Sequence, residues 1–401
     1  MLFRSAALLG STVALAALPA AAQEPKVTNQ GITPTEIVLG THQDLSGPIK
    51  SWGVPVTNGM KMAVEEVNAA GGINGRKIRL IVEDSGYDPK RAVLATQKLV
   101  EKDKIFAMLA PMGSPTVLAA QDILLEAGVP QLFPVTSAEF TYKMEAGKPQ
   151  ERLKFNNVPP YTDSVRAGAR HLMQEKKLTK PCVMYQDDEF GKNVLDGFTQ
   201  AVADVKLKPV AVTSYKRGAT DFSSQVAKMK AASCDLVVLG TIIRETIGAI
   251  AESRKTGFNP VFLGSSAAYT DLIHKLGGKA MDGLYATMTT QHPYLDEASQ
   301  PLRFWATKYK TKFNEDPTTF SAYGYTLVDA FIRGAQKAGP NLTTDSFIKA
   351  MDTMTIPADI FGAPEATFSP TKRLGNDMMR LSQIQGGRWK VVSDYVKPPA
   401  N

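Results

Sequence analysis

Residues 105–116 read IFAMLAPMGSPT, an apolar run that ends at Met112 and gives way to Gly113, Ser114 and Pro115. An apolar strand stopping at a small residue, with Ser at the N-cap and Pro at the first helical position, predicts a strand–turn–helix unit. Such a turn leaves backbone N–H groups free in the space beyond the sheet. There the helix dipole favours a carboxylate or phosphate, and Ser114 can add its hydroxyl. Gly113 and Ser114 are therefore candidate ligand contacts, although Ser-Pro is also an ordinary helix start and serves as a cap without any ligand.

The segments on either side extend the pattern. Strand-like runs at 36–41, 78–83, 105–109 and 131–135 alternate with helical stretches at 56–69, 89–101 and 115–127. The alternation resumes with strands at 182–185, 209–215, 235–239, 261–264 and 283–288 and helices at 191–204, 222–231, 245–255 and 270–276. Alternating strand and helix means parallel sheet covered by helices on both faces. The restart predicts an α/β protein of two doubly wound lobes rather than one long sheet. Helices at 302–314, 320–338 and 344–353 break the rhythm before strands at 378–383 and 389–393. They are expected to return to the first lobe and complete it.

In parallel α/β sheets ligands bind beyond the carboxyl ends of the strands, so two such lobes face each other across a shared cleft. The residues placed there are 42–46, 84–87, 111–114 and 135–137 in the first lobe. In the second they are 186–190, 240–244, 265–269 and 289–292. Hydroxyls and aromatics dominate, and Val135 joins the candidates from this set.

The leader-like start has one positive charge at Arg4, an apolar core over 6–18 and three alanines ending at Ala22. This predicts a secretory signal peptide over 1–22, too short to span a bilayer, and an exported, soluble, periplasmic product. The formal charge of +7 is scattered. No basic stripe with interleaved aromatics marks a nucleic-acid surface. The two cysteines, Cys182 and Cys234, each precede an apolar strand. In a 2-1-3 strand order they are neighbours, which fits a disulfide in an exported protein and fits two buried thiols equally. Neither spacing suits a metal, and no cofactor motif is present. The four histidines form no HExxH, and no GxSxG, P-loop or GxGxxG stretch occurs, so no catalytic residues are assigned. His42 beside Asp44 is the one suggestive pair.

The stretches LSGPIKSWG (45–53), AVEEVNAAGGINGRKIRLIVEDS (63–85), DPKRAV (88–93), SPTVLAAQDILLEAGVP (114–130), DEFGKNVLDGF (188–198) and ATDFSSQVAKMKAASCDLVVLG (219–240) carry a family resemblance. The chain resembles the periplasmic substrate-binding proteins of branched-chain amino acid ABC transporters, the Leu/Ile/Val-binding family. The resemblance implies a type I periplasmic binding fold that closes on a small ligand by hinge motion. Lobe 1 is then 27–158 plus 291–380, and lobe 2 is 159–290 plus 381–401. It also implies a monomer that delivers an amino acid or related carboxylate to a membrane permease. Ser114 and Thr136 fall where the family holds the ligand carboxylate, Trp52 where an aromatic lines the side-chain pocket, and Phe190 where an aromatic closes over the ligand.

Two positions depart from that pattern. Where leucine-binding relatives place a Tyr and an acidic residue for the ligand ammonium, this chain has Thr241 and Ser266. A buried ammonium without a carboxylate partner is costly. Either Asp44, Asp187, Asp188 or Glu245 meets it, or the ligand is an aromatic or aliphatic carboxylate or amide without one. Arg244 would suit a second acidic group on the ligand. A clamshell of this kind could equally report occupancy to a membrane receptor, and the sequence leaves transport and sensing open.

Overall fold

In the computed structural model, which describes residues 24–398, β1 (Glu36–Gln43) is buried along nearly its whole length. That is the signature of a parallel strand covered on both faces. The leader expected over 1–22 lies outside the described residues. From β1 the chain runs through α1 (Lys50–Ala69), β2 (Lys77–Asp84), α2 (Pro89–Glu101), β3 (Ala107–Leu109), α3 (Ser114–Glu126), β4 (Gln131–Leu132) and β5 (Lys154–Phe155). These strands form one parallel sheet in the order β2-β1-β3-β4-β5.

The chain then crosses into a second unit: α4 (Tyr161–Glu175), β6 (Pro181–Gln186), α5 (Glu189–Asp204), β7 (Ala211–Tyr215), α6 (Ser223–Ala231), β8 (Leu236–Gly240), α7 (Ile243–Lys255), β9 (Val261–Gly264), α8 (Asp271–Gly277) and β10 (Tyr285–Met288). Next come α9 (Gln300–Phe313), α10 (Thr319–Ala338), α11 (Thr344–Met351) and a two-stranded pair, β11 (Thr355–Ile356) and β12 (Ala366–Thr367). Finally β13 (Arg380–Ile384) and β14 (Trp389–Val391) return to the second sheet, whose order is β14-β13-β10-β9-β8-β6-β7. Its first five strands in chain order are parallel, and β13 and β14 are antiparallel additions. The late helices pack on the first unit, α10 crossing α1 and α11 lying against α10.

The α1–α10 crossing is a backbone contact. A Cβ added at Gly59 would stand 2.1 Å from the Ser321 carbonyl oxygen, and one at Gly324 would stand 2.0 Å from that of Val56. Only glycine fits either position, and the two helices lock face to face.

Cys182 and Cys234 are joined in a disulfide. They lie at the amino end of β6 and just before β8, neighbours in the β7-β6-β8 arrangement. Helix α1 begins at Lys50, six residues ahead of the expected start at Val56. Pro55 reads as a helix breaker, but within a helix it removes one hydrogen-bond donor, and the burial of Trp52, Val56 and Met60 on one face outweighs that loss. Helix α4 was not expected. Its buried face carries Ser164, Arg166 and Gly168 among Tyr161, Val165 and Leu172, which dilutes the apolar period, and Arg166 is bound to Asp204 at 2.8 Å.

Candidate functional site

Strands β3 and β4 stop early because Ala110 and Phe133 adopt left-handed backbone conformations, φ 51° at each. Such conformations are uncommon outside glycine and cluster where a backbone must be re-aimed. Pairing resumes beyond the kinks. The Val135 amide donates to the Pro111 carbonyl at 2.8 Å, the Gly113 amide to the Val135 carbonyl at 3.3 Å, and Met112 and Val135 form an isolated parallel bridge. The two post-strand segments therefore run side by side, and the Ser114 and Thr136 hydroxyls meet at 2.6 Å.

The helix start differs by one residue from the expectation. Gly113, at φ 93°, is the N-cap of α3, and Ser114 and Pro115 are its first two helical residues. Thr116 bonds back to the Gly113 carbonyl at 2.8 Å. The shift spares the Ser114 hydroxyl from capping and leaves it to Thr136. Glycine is required at 113, since a Cβ there would stand 2.6 Å from the Tyr87 ring.

A cavity opens beside this pair, lined on the first-lobe side by Trp52, Val135, Thr136 and Ser137. Trp52 stacks on Phe320 of α10, centroids 4.8 Å apart and planes 8° from parallel. Phe320, Tyr323 and Leu327 continue that wall, Val158 and Tyr161 close the crossover side, and Ser266 and Ala267 face them from the second lobe. Tyr161, the first residue of α4, lies against the Thr136 and Ser137 hydroxyls, and burial pushes its phenol up to about 12, so it remains a neutral donor. Phe190 packs edge-on against Tyr161 at 5.0 Å and so reaches the site through it. None of the described residues lining the cavity is charged.

The structure brings together Trp52, Val135, Thr136, Ser266 and, through Thr136, Ser114 and Gly113. It does not bring Thr241, Asp44 or Arg244 to the cavity wall. Thr241 is buried, its hydroxyl bound to that of Thr246 at 2.5 Å in the first turn of α7. The Asp44 carboxylate accepts from the backbone of Ser46, Gly47 and Ile49, holding the loop after β1. Arg244 reaches over the surface to the Ala219 carbonyl at 3.1 Å and to Glu245 at 2.7 Å. His42 is buried, and desolvation lowers it to about 4, so it is a neutral core residue. Among the described residues, no group of His, Cys, Asp or Glu is placed to hold a metal ion.

The other carboxylates considered for an ammonium are also accounted for. Asp187 pairs with Lys216 at the surface. Asp188 caps α5 through the amides of Phe190 and Gly191 and also binds Gln186 and Arg217. Glu245 is buried, with Oε1 on Arg244 and Oε2 without a partner, and its charge bears on Tyr215.

Residues that the sequence reading did not single out as ligand contacts also contribute. Tyr161, Ser137, Phe320 and Tyr323 line the cavity. Tyr87 carries a contact across the cleft: its carbonyl accepts from Arg217 at 3.4 Å, and the guanidinium stands 5.1 Å from its ring centroid. The signal for Tyr161 was its place directly after Pro159 and Pro160, where a crossover feeds a helix. For Phe320 and Tyr323 it was the aromatic spacing at the start of a late helix.

Two lobes of parallel sheet with an uncharged, hydroxyl-lined cavity between them define a ligand-binding protein. The sequence profile described as periplasmic binding protein matches residues 36–388, and the chain belongs to that family. The chain also resembles curated amino-acid-binding proteins. It is 25% identical to the leucine-specific-binding protein of Salmonella typhimurium over 338 residues, 82% of this chain and 88% of that one. It is 24% identical to an amino acid binding protein of Pseudomonas aeruginosa over 309 residues, 76% of this chain and 80% of the relative. Among solved structures, a fatty acid ABC transporter substrate-binding protein from Thermomonospora curvata superposes with a TM-score of 0.81 at 22% identity, covering 94% of each chain. A periplasmic binding protein type 1 from Bordetella pertussis superposes at 0.77 with 23% identity, over 89% of this chain and 99% of the other. The fold is thus the type I periplasmic binding fold.

Proposed function

We propose that the protein is the periplasmic solute-binding component of an ABC importer, capturing a small amino acid or related carboxylate between its lobes and passing it to a membrane permease. The observation that carries this reading is the Ser114–Thr136 hydroxyl pair at 2.6 Å at the start of α3, whose Thr136 lines an uncharged cavity. Two hydroxyls beside a helix N-terminus suit a carboxylate, whose charge also meets the helix dipole. Trp52 and Phe320 offer their faces to an apolar body. Closure brings Arg217 onto Tyr87 and removes the ligand from water. The reading involves binding without chemistry, in keeping with relatives that are named as binding proteins.

A second reading, a carboxylate without an α-ammonium, is favoured by one feature: the lining holds no acidic side chain. A thermal-shift series of amino acids against their deaminated counterparts separates the two, because a ligand that binds only the folded state raises the melting temperature. Ser114→Ala removes one hydrogen bond to a charged oxygen, about 1.5–3 kcal/mol, and should weaken binding tenfold or more. Unchanged affinity in that variant would refute the carboxylate site.

A further inference from the structure

Beyond the cleft cavity lies a larger one of about 350 Å³. It is bounded by two of the segments that cross between the sheets, at 157–159 and 289–290, by one side of α10, and by the loop 356–364 that follows β11. Val158, Tyr323 and Leu327 line both spaces. The two cavities therefore meet at one three-residue boundary, with the Ser114–Thr136 hydroxyls on one side and the hinge on the other. The cleft cavity by itself, about 30 Å³, has room for little more than a water molecule or two. The hinge cavity is of the size that holds whole small-molecule ligands.

Its chemistry is mixed. Leu327, Ile356, Phe361 and Pro364 give it apolar wall, and Asp329, Arg333 and Asp359 give it charged groups. The polar groups present are largely engaged with one another. Asp329 is paired with Arg333 at 2.6 Å, and the Asp359 carboxylate accepts from the amides of Phe361 and Ala363 at 2.9 Å each. Tyr323 directs its hydroxyl to Thr290, and its side chain belongs to the wall that the two spaces share.

We propose that the hinge cavity is the tail half of the ligand site, and that the ligand is a carboxylic acid with an unbranched or flat apolar tail. Its carboxylate sits on Ser114 and Thr136, and its tail passes Val158, Tyr323 and Leu327 into the hinge. This deepens the proposed function and rests on it. A short branched side chain would fill only the space beside Trp52, whereas an extended tail buries its length against apolar wall. Because two inter-lobe crossovers form that wall, a tail lodged there also contacts the segments that must bend when the lobes close.

The test is calorimetric titration of the protein with linear acids from butanoic to decanoic and with 3-phenylpropanoic acid, on the parent, Ser114→Ala and Thr326→Trp. Thr326 lines the hinge cavity and not the cleft cavity, and its hydroxyl serves only its own helix, bonding the Ala322 carbonyl at 3.0 Å. Affinity should rise about fourfold per added methylene until the hinge cavity is filled. Thr326→Trp should abolish that gain while leaving butanoate within twofold of the parent, which also shows that the variant is folded. Acids that bind through Ser114 with affinity independent of tail length would overturn the two-cavity ligand and leave the carboxylate site standing. Absence of binding by every acid in the parent would overturn the two-cavity ligand, and stabilisation by amino acids in the thermal-shift series, lost in Ser114→Ala, would show that the carboxylate site itself survives.

Discussion

Acidification should destabilise this protein through two buried histidines. His42 lies within the run of buried residues in β1, and its Nδ1 has no hydrogen-bond partner. His292 is equally buried after the second crossover, and its Nδ1 is likewise unpartnered. Desolvation lowers both to about 4 from an ordinary 6.5, with Asp271 opposing the shift at His292. A lowered histidine pKa means that the native state resists a proton the unfolded chain accepts. Stability is therefore full above about pH 6.5 and is lost as pH falls toward 4. At pH 4.5 each histidine forfeits about 2.5 kcal/mol, about 5 for the pair. Asp359 works in the other direction. Burial raises it to about 6, so the native state gains a proton the unfolded chain does not, returning about 2 kcal/mol over the same interval. The net loss from these three groups is about 3 kcal/mol between pH 7.5 and 4.5, a large part of the stability of an ordinary domain. Urea denaturation followed by tryptophan fluorescence at both pH values measures it. Replacing both histidines with Gln should remove the acid-side loss and expose the opposite slope of Asp359. If the double variant lost as much stability on acidification as the parent, burial of these two rings would not be its cause.

Two further outcomes follow from single contacts. Gly113→Ala forces a side chain onto a backbone at φ 93° and drives its Cβ to 2.6 Å from the Tyr87 ring. It should lower stability by about 1–3 kcal/mol and weaken ligand binding by moving both Ser114 and Tyr87, as read by thermal melting and titration. Reducing the Cys182–Cys234 bond, which closes a chain separation of 52 residues, should cost about 4 kcal/mol of stability on the chain-entropy account. Ligand affinity should change little, since the bond lies at the end of the second sheet away from the cleft.

Much of this architecture could be read in the sequence, for physical reasons that also mark the limits of that reading. Buried parallel strands such as β8 are continuous apolar runs bounded by polar turns, and their alternation with amphipathic helices left few topologies to consider. Ser114 stood out because Gly, Ser and Pro together announce a strand-to-helix turn. What decided its role, the left-handed kinks at Ala110 and Phe133 that bring it against Thr136, has no local signature, because neither residue is a glycine. Helix α4 stayed hidden because its buried face holds an arginine and a serine. Asp44 and Arg244 looked available only because their partners, the backbone amides of the next loop and the neighbouring Glu245, are themselves local and leave no pattern. The hinge cavity was out of reach of any sequence reading. Its walls come from four distant segments, and only folding places Val158 beside Leu327.

The glycine-on-glycine crossing of α1 and α10 bears on how the chain is made. Trp52 is synthesised early, whereas Phe320, its stacking partner, follows after most of the chain. The first lobe lacks the helix that seals its pocket until the last quarter of the polypeptide is present, and the second lobe waits for β13 and β14 in the same way. Neither half can complete its native core during elongation. A chain built like this stays unfinished while it emerges and acquires its binding site only at the end.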